Sequence, residues 1–121
     1  MRKEGSAKMN EFVYLYRRPA QPPGSPQQMQ ALMQRWQAWF KDLEKSGHLV
    51  NVGQPLETNG GAVVTNAKGS FSDGPYAETK DVVGGYSVIT AKDLQEAIAL
   101  TKGHPVFEMG GMIEIRPIMK L

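Results

Sequence analysis

The 121-residue chain has no cysteine. That excludes disulfides, thiolate metal sites, iron–sulfur clusters and a cysteine nucleophile, and it suits a reducing cytoplasm. No apolar run approaches the ~18–20 residues a membrane helix requires, so no membrane partner is expected. Neither sign of charge dominates: 14 Lys and Arg face 12 Asp and Glu, a formal net charge of +2. So small an excess, with no basic stripe, gives no reason to expect a nucleic-acid partner. Gly-x-Gly-x-x-Gly and Gly-Lys-Ser elements are missing, and so is a nucleophile elbow, which leaves nucleotide cofactors and seryl catalysis unsupported. Two histidines among scattered carboxylates lack any metal-ligand spacing, so neither a metal nor another cofactor is expected.

What is present fits one globular domain. At this length folding buries roughly two thirds of the unfolded surface, enough for a core without covalent staples. The polar start, Met1 to Met9, lacks the apolar stretch of a signal peptide and reads as a disordered extension. Residues 10–121 read as a single domain.

Glu11 to Arg17 alternates and is rich in aromatic and β-branched residues, which predicts a strand. Phe12, Tyr14 and Tyr16 share one face, with Val13, Leu15 and Arg17 on the other, so both faces are partly apolar. After a proline-rich break, Ser25, Pro26 and Gln28 have the spacing of a capping box with proline in the first helical turn. Met29, Leu32, Met33, Trp36, Trp39, Phe40 and Leu43 recur every three or four residues, predicting a helix of about twenty residues that Gly47 ends. The aromatic cluster within it is expected to pack in a core or a dimer contact. Short strands follow at Leu49–Val52 and Ala62–Thr65, with a turn near Lys68-Gly69. A longer strand is predicted over Gly84–Thr90. Thr90 and Asp93 are read as a capping pair for a second helix, with Leu94, Ala97, Ile98 and Thr101 on its buried face and Gly103 at its end. Met112–Ile118 is the last strand.

This order is α+β, a ferredoxin-like βαββαβ plan with an extra hairpin near residues 62–72. Both helices cover one face of the sheet. The opposite face, apolar in part, needs a second sheet, and the simplest supplier is another copy of the chain. A homodimer forming an α+β barrel is therefore expected.

The most unusual stretch is Ser72-Asp73-Gly74-Pro75-Tyr76-Ala77-Glu78-Thr79-Lys80. Asp-Gly-Pro is a tight turn, with Gly74 held extended by the proline after it. Such a turn serves structure alone or aims the Asp73 carboxylate into a cleft beside Tyr76. The run from Asp73 to Lys80, followed by Gly84-Gly85-Tyr86, resembles the signature of the DGPF branch of the YCII-related family. Phe12-Val13-Tyr14-Leu15-Tyr16, Ser46-Gly47-His48-Leu49 and Ile113-Glu114-Ile115-Arg116-Pro117-Ile118 extend the likeness over residues 10–118, although Tyr76 stands where that branch usually has Phe.

The resemblance implies a ferredoxin-like fold in dimeric α+β barrels and a largely unassigned biochemistry. Members of the wider family are proposed to be enzymes with a His–Asp pair, and one relative acts in chlorinated-aromatic breakdown. Members of this branch often occur beside extracytoplasmic-function sigma factors, which points to a regulatory alternative. Asp73 matches the family aspartate. The family histidine lies on the first helix, where this chain has Arg35-Trp36-Gln37 and no imidazole. His48, at the helix end, is the substitute candidate, since an imidazole beside a carboxylate can move a proton near neutral pH. Capping the helix is its alternative role, and the same capping role is expected of His104.

Glu114 and Arg116 share a strand face and can pair. In a cleft, Arg116 offers an anion-binding fork and Glu114 a base. Tyr14, Tyr16 and Tyr86 can add hydroxyls there or pack in the core. Two functions are thus open: a cofactor-free acid–base enzyme on a small organic molecule through Asp73 and His48, or a non-catalytic module that binds a ligand or partner, with Tyr14, Tyr76, Tyr86, Glu114 and Arg116 as ligand-binding candidates.

Overall fold

The computed structural model describes residues 9–19, 25–57, 60–73 and 81–121, with Asp73 and Asp81 described by their backbone alone. The expected N-terminal extension up to Lys8, the proline-rich break and the Gly74–Lys80 turn lie outside these residues. The elements run β1 (Asn10–Pro19), α1 (Pro26–Lys45), β2 (Leu49–Asn51), β3 (Ala62–Val64), β4 (Phe71–Asp73), β5 (Asp81–Ala91), α2 (Leu94–Ala99), a 3₁₀ turn (Pro105–Met109) and β6 (Met112–Pro117).

β1, β2, β5 and β6 form one antiparallel sheet in the order β2-β5-β1-β6, and β3 pairs with β4 as a separate hairpin. Without the hairpin this is the ferredoxin-like arrangement, first and third strands central and flanked by the fourth and second. The fold class read from the sequence holds, hairpin included.

The pleat of β1 decides where the core forms. Phe12, Tyr14 and Tyr16 are buried, and they meet Ile89 and Ala91 of β5, Leu43 of α1, Ala97 of α2 and Val106. Burial of each large side chain contributes about 1.5–3 kcal/mol. The opposite face carries Val13, Leu15 and Arg17 of β1, and cross-strand pairing sets Tyr86 and Val88 of β5 and Glu114 and Arg116 of β6 beside them. No described helix covers that face.

α1 begins as its sequence requires. Ser25 Oγ accepts from the Gln28 N–H at 3.2 Å and Gln28 Oε1 accepts from the Ser25 N–H at 2.7 Å, so two otherwise free donors are satisfied reciprocally. At the other end Gly47 adopts φ 81°, and the N–H groups of Gly47 and His48 donate to Glu44 O and Leu43 O. This is the Schellman termination, which a left-handed residue makes possible.

α2 departs from expectation. It is capped by Asp93, whose side chain accepts from the Glu96 N–H at 2.9 Å, while Glu96 Oε1 accepts from the Lys92 N–H. Thr90 takes no part; its hydroxyl donates to Asn10 O within the sheet. The helix ends at Ala99, four residues short of Gly103, so it has too few turns to bury the apolar set predicted for it. Ala97 is fully buried, but Leu94 and Ile98 stay 46% and 44% exposed.

Candidate functional site

Between α1 and the sheet lies a cavity of about 310 Å³. Its long wall comes from the helix stripe: Met29, Leu32, Met33, Trp36 and Phe40 line it, the same three- and four-residue spacing that predicted the helix. Tyr16 of β1 closes the back, and Val52 to Leu56, the segment after β2, forms the opposing lip. Gly84, Gly85 and Tyr86 border it from β5.

Glycine makes the lip possible. Gly53 sits at φ 78°, and a Cβ there would lie 1.7 Å from the Tyr86 carbonyl oxygen. Only a residue without a side chain lets this segment approach β5 so closely. Asn51 Oδ1 accepts from the Gly53 N–H at 2.8 Å, and the Leu56 N–H donates to Gly84 O at 2.9 Å, so the lip is held at both ends.

The cavity wall is mostly apolar, with Arg18, Gln37 and Gln54 among its lining residues, and the Tyr16 hydroxyl is engaged. The Tyr16 hydroxyl donates to Ser87 Oγ at 2.9 Å, and Ser87 Oγ donates to Val52 O at 2.6 Å. Burial pushes the Tyr16 phenol far above its ordinary pKa, so it keeps its proton at neutral pH. Among the described residues the lining holds no carboxylate and no imidazole. Met33, Val52 and Leu56 are 49%, 47% and 42% exposed, which marks the mouth as an apolar opening to solvent.

Immediately behind the wall stands His104, 1% exposed. Its ring stacks on Tyr16 at 4.9 Å, and the indoles of Trp36 and Trp39 cross it at 4.5 and 4.2 Å. Nδ1 accepts from the Val106 N–H at 2.9 Å, so the neutral ring carries its proton on Nε2. That Nε2 finds no hydrogen-bond partner among the described residues. Burial lowers the imidazole pKa from 6.5 to about 3, and the ring is neutral. His104 caps, as expected, but it caps the start of the 3₁₀ turn rather than the end of α2.

The residues singled out from sequence fall in separate places. Tyr14 is fully buried and its hydroxyl donates to Ala97 O, tying β1 to α2. His48 Nδ1 donates to Thr90 O at 2.7 Å while the Thr90 N–H donates to His48 O, a double clamp between the end of α1 and β5. Asp73 ends β4, its backbone paired opposite Ala62; its side chain, like all of Tyr76, lies outside the described residues. Glu114 accepts from Arg17 at 3.2 Å and meets Arg116 at 3.6 Å on the open sheet face. Tyr86 borders the cavity, yet its side chain pairs with Leu15 on that open face.

Sequence reasoning missed the cavity as a site. The signal was available in the helix stripe: Met29, Met33, Trp36 and Phe40 read as packing in a core or a dimer contact, and the glycines at 53, 84 and 85 were not connected to them.

Fold and site together define a ferredoxin-like α+β domain with an apolar cavity beneath its first helix. A model of the YCII-related domain matches residues 9–121, and the chain belongs to that family. A search of curated proteins finds no match. No described helix is long and apolar enough to cross a membrane.

Proposed function

We propose that this YCII-related protein binds a small molecule in the cavity under α1 and works as a homodimer through its open sheet face. The observation that carries the reading is the 310 Å³ apolar cavity, within the size range of ligand sites and open at a lip of exposed apolar residues. Binding, rather than acid–base turnover, is what the lining favours, since its described residues offer no carboxylate or imidazole to move a proton near neutral pH. An Asp73–His48 pair stands outside this reading, because His48 is not among the described residues that line the cavity. Placement in the DGPF branch rests on the run from Asp73 to Lys80.

The test is a titration of the methyl-labelled protein with cyclohexane, toluene and indole, followed by the methionine methyl resonances in NMR. The expected result is a joint, saturable shift of Met29, Met33 and Met109, lost in Met33→Trp, which fills the mouth. If none of the three compounds moves these resonances, the cavity is not a binding site.

A further inference from the structure

The cavity narrows the chemistry of what it takes. Its volume is the first restriction. An apolar cavity of about 150 Å³ holds one benzene ring, so 310 Å³ holds roughly two fused or linked rings. Shape and surface are the second. Tyr16 and Trp36 meet edge to face at 4.8 Å, and Trp36 and Phe40 at 5.9 Å, so one wall is a continuous aromatic surface. Methionines 29, 33 and 109 line the same space, and thioether sulfur favours aromatic ring edges.

Charge is the third restriction. A cation carried into such a wall loses its hydration and meets the Arg18 guanidinium, the one charged side chain that lines it among the described residues. The Tyr16 and Ser87 hydroxyl protons are spent on each other and on Val52 O. A single polar tip is best left at the mouth, where the exposed Gln37 amide lines the opening.

Resting on the binding reading above, we infer that the ligand is a planar, two-ring aromatic molecule with one polar substituent and no positive charge, its rings against Trp36 and Phe40. Aromatic contacts of this kind favour such a ligand over a saturated one of equal size by about 3- to 10-fold.

The experiment compares three probes on one bicyclic skeleton: 2-naphthol, its saturated counterpart decahydro-2-naphthol, and the cation 2-naphthylmethylammonium. Affinities come from calorimetry, and the position from ring-current shifts of the Met29, Met33 and Met109 methyls. The inference expects 2-naphthol to bind tightest, and Phe40→Leu to bring it close to the saturated alcohol without weakening the latter. Trp36→Leu, if it folds, does the same.

Equal or tighter binding of decahydro-2-naphthol overturns the aromatic assignment and leaves the cavity a ligand site. Tighter binding of 2-naphthylmethylammonium overturns the exclusion of positive charge. No binding of any probe, with unmoved methyls, overturns the binding reading itself.

Discussion

At the scale of single residues, His104 links packing to pH. An imidazole that is neutral and enclosed when folded, but free to take a proton when unfolded, makes the unfolded state the better proton binder. Its folded pKa is depressed from 6.5 to about 3, so its contribution to stability is complete above pH 6.5 and declines as pH falls toward 3. The slope is about 1.4 kcal/mol per pH unit. Between pH 6.5 and 5 most carboxylates stay ionised, and the loss of about 2 kcal/mol over that interval belongs mainly to His104. Urea unfolding across this range measures it. His104→Asn, which keeps an acceptor for the Val106 N–H, is expected to be less stable at pH 7 but nearly flat from 6.5 to 5. An unchanged slope in the variant would place the effect on other groups. The role was not legible from sequence. A histidine before proline after a helix reads as a cap, and only the meeting of β1 with α1 encloses it between Tyr16, Trp36 and Trp39.

At the scale of elements, the lip that follows β2 depends on Gly53. A methyl group there meets the Tyr86 carbonyl far inside contact distance, on a backbone conformation that already costs an L-residue about 1–2 kcal/mol. Gly53→Ala is expected to lower the urea midpoint, with a loss of at least about 2 kcal/mol. Gly61→Ala, where an added Cβ meets nothing within 4 Å, is the matched control and should change little. How well each element could be read from sequence follows the same physics. α1 was legible to its caps, because twenty residues of periodic apolar side chains and two local termination motifs all agree. β1 was legible because alternation places Tyr14 and Tyr16 on one side whatever they pack against. α2 was not: Leu94 and Ile98 have helical spacing, but the six-residue helix lies on the sheet through Ala97, where the Tyr14 hydroxyl reaches the Ala97 carbonyl. Arg17 closes the alternation of β1, and no local spacing shows that its partner Glu114 stands nearly a hundred residues away. The cavity needed still more: its wall is written in α1, its lip in an irregular segment with no periodicity to read.

At the scale of the whole molecule, one chain leaves two apolar surfaces without a described cover. The open sheet face presents Val13, Leu15 and Val88 around the Arg17–Glu114–Arg116 cluster. The β3–β4 hairpin presents Val64 and Phe71, cross-strand neighbours that are 65% and 66% exposed. A two-stranded hairpin is marginal in water by itself, so the side chains on its apolar face gain most from packing against something else. Two copies related by a two-fold axis, as proposed above, would cover the sheet face, and the hairpin too where it reaches the partner. The expected mass in solution by light scattering is therefore twice 13.4 kDa. Leu15→Glu, which sets a carboxylate at the centre of the open face next to Glu114, is expected to give a monomer with an unchanged circular dichroism spectrum. Phe71→Ser removes an exposed ring, leaves the monomer core intact, and separates the two surfaces. It weakens the dimer if the hairpin reaches the partner, and leaves the mass unchanged at all concentrations if the sheet faces alone hold the copies together. A wild-type chain that stays monomeric at high micromolar concentration would overturn the paired-sheet reading, and the half-buried Val13 and Leu15 would then be ordinary surface.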